Sequence, residues 1–408
     1  MPQAINPRAI TRLDNGLRTI AAPPSEAAAE GRLAASGAAL LIAIHGREVY
    51  AGAAGAATFE PDGLTAKRPL TPDTPVRVAS MSKMAVALLC GELAKAGRLD
   101  LDADASEYLG FSLRHPGRPN APITTRMLLS HTSTLVDPEA YWMAHPGRIE
   151  DLIGADAFAG PEALSKDPGT HFDYCNLNYG LAATVAETAS GVRFDRAVRD
   201  TVLSPLGLKS AGFNWSGVPI SRRQTGGSLH RLSPNGVWQV QTDGDDILNA
   251  SGPAVLIDAG AGLSTYRPGQ NGTLFGPQGG LRASVRDIAV LAQAFSAGGI
   301  GDALAEPVWR APEVNGVAAE GLYKAYGSGP QILFQQAPGF RDSVFVGHAG
   351  EAYGLYGGAW SSPDGSLTIA YFVNGSEDDP PPTRDPQSGF TPWEEALMRL
   401  AADALAYL

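Results

Sequence analysis

Ser80 and Lys83 stand three residues apart at the head of an apolar run, "RVASMSKMAVALL", residues 77 to 89. A serine hydroxyl is a weak nucleophile until a neighbour takes its proton. On a helix, positions i and i+3 share a face, so the Lys83 amine reaches the Ser80 hydroxyl without help from tertiary structure. Apolar neighbours such as Met81, Met84, Val86 and Leu88 disfavour the ammonium form and lower its pKa, which makes the amine a base. A serine at a helix N-terminus also has backbone N–H donors and the positive dipole end where an oxyanion forms. The chemistry to expect is acyl transfer through Ser80.

Alone, a Ser-x-x-Lys arises about once by chance in a chain of ordinary composition. Lysine is scarce here, however, confined to Lys67, Lys83, Lys95, Lys166, Lys209 and Lys324, and of these Lys83 alone has a serine three positions before it. Two further sets follow in order. "HFDYCNLNYG" places a phenol, Tyr174, two residues before an amide, Asn176, and "VFVGHAGEAYG" places His348, Ala349 and Gly350 at the end of a strand. In isolation Tyr174 and Asn176 read as polar residues at a loop-to-helix junction, with Asn176 an N-cap, and His348 reads as a histidine paired with a backbone carbonyl.

The ordered set Ser-x-x-Lys, Tyr-x-Asn and His-x-Gly resembles the serine β-lactamase and penicillin-binding-protein-like superfamily, in its class C β-lactamase-like branch of D-aminopeptidases, DD-peptidases and esterases. The resemblance extends through "PDTPVRVASMSK", "RMLLSHTSTL", "PLGLKSAGF" and "GGLRASVRDIAVLAQAF" and covers most of residues 35 to 375. It implies Ser80 as the acylated nucleophile, with Lys83 and Tyr174 as a coupled pair; which of the two is the base stays open. A phenol serves as base at neutral pH only where a cation such as Lys83 favours the phenolate.

It further implies that Asn176 donates to the acyl side of the substrate or meets Lys83. The strand bearing His348 would wall the cleft, and the Glu351 amide, just past Gly350, would join that of Ser80 as the oxyanion hole. Gly350 suits close backbone approach. His131 is assigned to turn packing in the family's helix-to-loop segment, and His171 is left open. Class C β-lactamases carry Lys-Thr-Gly where this chain has His348-Ala349-Gly350; alanine offers no hydroxyl, so the resemblance points away from antibiotic hydrolysis. Thr134 stands where the family often has glycine. In the loop after it, Tyr141 and Trp142 read equally as pocket residues and as core aromatics.

The elements that must hold these residues are legible in outline. "AALLIAIHGREVYAGAAG" reads as two strands joined at His45-Gly46. From Ser80 to about residue 210 the periodicity is mostly helical, the first helix stopping at Gly97. Residues 215 to 280 are rich in Gly, Ser, Asn and Pro and read as loops. Ser284 with Asp287 forms a capping box. The chain then returns to strands, two of them linked by the turn "SSPDG". After the Pro-rich loop "DDPPPTRDPQ" it closes on a helix with Thr391 as N-cap, Pro392 at N1 and Glu394 at N3.

Strands at both ends and helices in the middle predict an α+β fold, which the resemblance implies is of β-lactamase/transpeptidase-like type. An antiparallel sheet from both termini (1–78 and 281–408) would be flanked by helices, and a mainly helical domain (79–280) with the loop-rich segment 215–280 would be inserted between them.

A formal charge of −11 argues against nucleic acid, which requires clustered Lys and Arg. No apolar run is long enough to cross a bilayer. The first residues lack the basic start and apolar stretch of a secretory signal, so a cytoplasmic protein is expected, with Cys90 and Cys175 as small core residues. No metal or organic cofactor is implied: zinc-site, phosphate-loop and Gly-x-Ser-x-Gly patterns are absent from the sequence. The expected partner is a small ester, amide or short peptide, and self-association into a homo-oligomer is left open. The alternatives are an acyltransferase of the same branch and a binding or sensing module that does not turn over.

Overall fold

The computed structural model describes residues 6–158, 167–249, 263–311, 321–377, 384–385 and 387–406. His45 and Gly46 both take positive φ, 47° and 71°, as a two-residue turn matched to the right-handed twist of its strands requires. The strands Gly37–Ile44 and Arg47–Phe59 that it joins enter a nine-stranded sheet. Across the sheet the order is Ala66–Pro69, Arg47–Phe59, Gly37–Ile44, Leu367–Val373, Leu355–Ser361, Val344–Ala352, Gln331–Phe334, Ala325–Tyr326, Trp309–Arg310. Every pair is antiparallel. The first strand of the chain therefore lies against one of the last, with Ala38 opposite Val373 and Ile44 opposite Leu367.

Both faces of the sheet are covered, and the period of two sorts its side chains. Leu40, Ile42, Ile369, Tyr371 and Val373 join Leu13, Leu17, Trp393 and Leu397 from the terminal helices Pro7–Ile20 and Pro392–Leu405. Ala39, Leu41, Ala370 and Phe372 face the other way, into a core shared with Ile288 and Leu291 of the helix Val285–Gln293 and with the helices of the middle of the chain. The capping boxes at Ser284/Asp287 and Thr391/Glu394 are formed.

In the middle of the chain, helix Ser82–Lys95 is buried without interruption from Ser82 to Cys90, and helix Leu177–Ser190 is nearly as enclosed. Neither shows a polar stripe, as expected of helices packed on all sides. The chain leaves the sheet and returns to it side by side: Val76–Arg77 pairs with Leu281–Ala283, Val76 opposite Ala283.

Two expectations need correction. The helix expected to begin at Ser80 begins at Ser82, because Ala79 adopts φ 49° and Ala79–Met81 forms a tight 3₁₀ turn. Ser82 then ties that turn down, its hydroxyl donating to the Ala79 carbonyl at 2.6 Å and accepting from the Leu281 N–H at 3.0 Å. Residues 215 to 280, read as loops, contain the hairpin Leu229–Leu232/Trp238–Thr242, which a parallel bridge links to Gly375–Ser376. The signal was present in "SPNG" followed by the alternation of "VWQVQT". Residues 250–262 of that segment, and most of the Pro-rich loop, lie outside the described residues.

Candidate active site

Val78, Ala79 and Ser80 connect an edge pairing to a helix. The Val78 N–H donates to the Leu281 carbonyl at 3.0 Å, after which the left-handed Ala79 turns the chain so that Ser80 opens into a cleft of about 240 Å³. A non-glycine residue held at positive φ costs about 1–3 kcal/mol and persists only where its surroundings over-determine it. Here the Ser82 hydroxyl and the close passage of strand Val344–Ala352 do so. At Gly350 a Cβ would stand 2.7 Å from the Val78 carbonyl oxygen and 2.9 Å from the Met81 methyl, so that strand approaches the turn bearing Ser80 as only glycine permits.

One helical turn on, Lys83 is fully buried. Its Nζ lies 3.0 Å from Ser80 Oγ, 2.8 Å from Asn176 Oδ1 and 3.0 Å from the Gln278 carbonyl oxygen. Burial pushes its pKa down to about 7, against the attraction of Asp137. The three partners suit both protonation states. The ammonium donates to all three; the neutral amine donates to Asn176 and Gln278 and keeps its lone pair for the Ser80 hydroxyl, which then becomes the donor. A proton can thus pass from Ser80 to Lys83 with no heavy atom moving.

Asp137, which the sequence reading passed over, orients this arrangement. Its Oδ2 accepts from Asn176 Nδ2 at 2.8 Å, and its Oδ1 accepts from the Leu177 N–H at 2.9 Å and from Cys175 Sγ at 3.3 Å. Asp137 rather than Asn176 therefore caps helix Leu177–Ser190, and the Asn176 carbonyl is left aimed at Lys83. An acidic residue soon after "LLSHTSTL" was the available signal.

Tyr174 lies in an aromatic wall, stacked on His131 (ring centroids 4.3 Å apart) and on Tyr323 (4.8 Å). Lys83 Nζ sits over its ring face, 4.8 Å from the centroid. The phenol hydroxyl is buried and accepts or donates no hydrogen bond of ordinary geometry among the described residues. Burial, then Tyr323, push its pKa well above that of a free phenol, opposed by Ser80. The lysine thus meets the π face of the ring, and burial keeps the hydroxyl protonated.

His131 takes positive φ (58°) and accepts the Cys175 N–H on Nδ1 at 3.1 Å. Burial, then the charges of Lys83 and His348, hold its pKa well below the usual imidazole range. It does more than pack the turn: its ring is the surface against which Tyr174 rests. Thr134 is buried with φ 72°, a left-handed conformation in which a β-branched residue is an outlier and glycine is not.

His348 is brought near but lies behind the cleft rather than in its lining. Nδ1 stands 2.5 Å from the Ala349 carbonyl oxygen and must carry the proton, so Nε2, 2.5 Å from the Tyr326 hydroxyl, accepts. Burial, then the charge of Lys83, push its pKa down to about 3, against the pull of the Ala349 carbonyl. Its neighbours Ala349, Gly350 and Glu351 do line the cleft. The Glu351 carboxylate pairs with Arg384, whose guanidinium also faces Glu394 at 3.6 Å. Tyr141 lines the cleft, Trp142 belongs to an adjoining chamber, and His171 lines neither.

Among the described residues no helix is long and apolar enough to cross a membrane, and no group of His, Cys, Asp and Glu is arranged to hold a metal ion.

Residues 26–390 match the family model described as Beta-lactamase. Esterase EstB of Burkholderia gladioli is 32% identical over 193 residues, 43% of this chain and 47% of the esterase, so the chain spans about half the length of the curated relatives it matches. Two solved structures align over 98% of this chain and 99% of their own, each at 19% identity and TM-score 0.64. One is the D-amino acid amidase of Ochrobactrum anthropi SV3 complexed with L-phenylalanine amide; the other is EstCE1, a hydrolase with promiscuous acyltransferase activity.

Proposed function

The chain belongs to the Beta-lactamase family, and from that premise we propose that it is a serine hydrolase that opens a small ester, amide or short peptide through an acyl-enzyme on Ser80. The observation that carries the reading is the buried Lys83 amine, 3.0 Å from the Ser80 hydroxyl and with a pKa near 7. About half of such amines are neutral at pH 7, against fewer than about one in a thousand free lysines.

In the proposed cycle Lys83 takes the Ser80 proton as Oγ attacks the carbonyl carbon, and the oxyanion is met by the backbone N–H groups of Ser80 and Glu351. Tyr174, held protonated by its aromatic enclosure, hands its proton to the departing alcohol or amine and recovers one from the Lys83 ammonium. Water, activated through the same pair, then attacks the ester of Ser80 and releases the acid. Asn176 positions Lys83, Asp137 positions Asn176, and Gly350 lets the strand approach.

The reading does not extend to antibiotic hydrolysis. Ala349 supplies no hydroxyl, and His348 is turned to Tyr326 rather than toward a substrate carboxylate.

The test is intact-protein mass after incubation with a fluorophosphonate, beside turnover of a panel of nitrophenyl esters and aminoacyl anilides. Wild type should gain one adduct and Ser80→Ala none, with turnover lost and the thermal midpoint unchanged. Turnover retained in Ser80→Ala refutes the assignment.

A further inference from the structure

The cleft does not end at Ser80. Arg77, Tyr141, Gln278 and Tyr353 line it and also line a second chamber of about 680 Å³. Trp142, Trp215, Leu274 and Ile247 give that chamber an apolar, aromatic wall. Its deep charges are closed on each other: Arg282 grips Asp243 through two bonds of 2.9 and 3.0 Å, and Trp215 Nε1 donates to the same carboxylate at 2.9 Å.

Arg77 differs from every other cation in this region. Its Nε donates to the Gly279 carbonyl at 3.0 Å, and its guanidinium lies over the Tyr353 ring, 4.5 Å from the centroid. Its two Nη groups find no acceptor among the described residues, and no carboxylate pairs with it. Arg384, across the cleft, is by contrast held between Glu351 and Glu394. Burial, then the charge of Arg282, push the Arg77 pKa down, and the more distant pull of Tyr353 and Asp243 offsets this only in part; a buried charge with no anion in contact is costly. The stack on Tyr353 and the Nε bond fix the plane of the fork, leaving two parallel N–H donors for a planar acceptor, the geometry that selects a carboxylate.

We propose that Arg77 is a carboxylate receptor, so that the substrate of the Ser80 hydrolase carries an acid group on an apolar or aromatic body that occupies the second chamber. This rests on the hydrolase reading for the word substrate; the binding site itself does not. Arg77 precedes Ser80 by three residues, so their Cα atoms are at most about 11 Å apart, and both residues line the same cleft, which puts the acid group in the cleft that holds the scissile bond.

The experiment therefore avoids turnover. Ser80→Ala protein is titrated calorimetrically with 4-phenylbutyrate and with its neutral amide, with and without Arg77→Met. The acid should bind about 10–100-fold tighter than the amide, as expected for paired charge-assisted hydrogen bonds. Arg77→Met should abolish that preference, and Arg77→Lys, which keeps the charge but not the fork, should restore part of it. Equal affinity for acid and amide, a preference that survives Arg77→Met, or no binding of the acid at millimolar concentration overturns the proposal. Fluorophosphonate labelling of Ser80 in wild type separately decides the hydrolase reading, so the two cannot fail together unnoticed.

Discussion

Lys83 is the residue on which removal of one side chain should separate stability from activity. Its amine titrates near 7 in the fold and near 10.5 when free. At 1.36 kcal/mol per pH unit of displacement, holding its charge inside the protein costs on the order of 5 kcal/mol below pH 7. The sign follows from the proton count. Between about pH 7 and 10.5 the unfolded chain holds a proton on Lys83 that the folded chain has given up, so folding stability rises with pH there; the penalty is complete below 7 and gone above 10.5.

Lys83→Met removes the titration and also takes the donor from the part-buried acceptors Asn176 Oδ1 and Gln278 O, at up to about 1–3 kcal/mol each. Its absolute stability is therefore set by opposing terms, but its pH slope is not. Urea titrations of wild type and Lys83→Met from pH 6.5 to 9 should show wild type gaining on the variant by about 1.4 kcal/mol per pH unit above 7. Over the same range the rate of Ser80 labelling in wild type should rise sigmoidally with a midpoint near 7, while the variant labels at least about 100-fold more slowly. A stability difference that is flat with pH, or labelling that begins only near pH 10, would refute the claim that burial makes this lysine a base.

Two other substitutions test the parts around it. Gly350→Ala drives a methyl to 2.7 Å from the Val78 carbonyl and must displace the nucleophile turn. We expect kcat/KM to fall about 100-fold, since misplacement by about 1 Å has that effect, with a stability loss of about 1–3 kcal/mol; turnover near wild type would mean the turn is looser than drawn. Asp137→Asn removes the carboxylate that raises the Lys83 pKa, so the midpoint of the labelling profile should move to lower pH; an unmoved or raised midpoint would show that Asp137 acts on Asn176 alone.

What could be read from the sequence was what local geometry controls. Ser80 and Lys83 meet because i and i+3 meet, and His45-Gly46, Ser284/Asp287 and Thr391/Glu394 declare their turns and caps within four residues. The strands at both ends of the chain were legible as short apolar runs bounded by turns such as His45-Gly46 and "SSPDG". Features set by long-range packing were not legible. Asp137 reaches Asn176 across 39 residues, the Gln278 carbonyl reaches Lys83 across 195, and the orientation of His348 depends on Tyr326 in a neighbouring stretch of sheet. The shift of the helix start from Ser80 to Ser82 turned on a left-handed alanine, which propensity argues against. Nothing in the sequence marked Arg77, because its isolation is a property of what surrounds it.

The packing of Val344–Ala352 against the turn bearing Ser80 has a consequence for how the chain comes into being. Translation delivers Ser80 and Lys83 long before it delivers that strand, and in the unfolded chain the lysine titrates as any lysine does, near 10.4. In the mechanism proposed above, Ser80 therefore has no base until the fold has closed around Lys83. On that proposal an unfolded chain carries the complete motif yet cannot use it, and labelling of Ser80 would report that folding has finished.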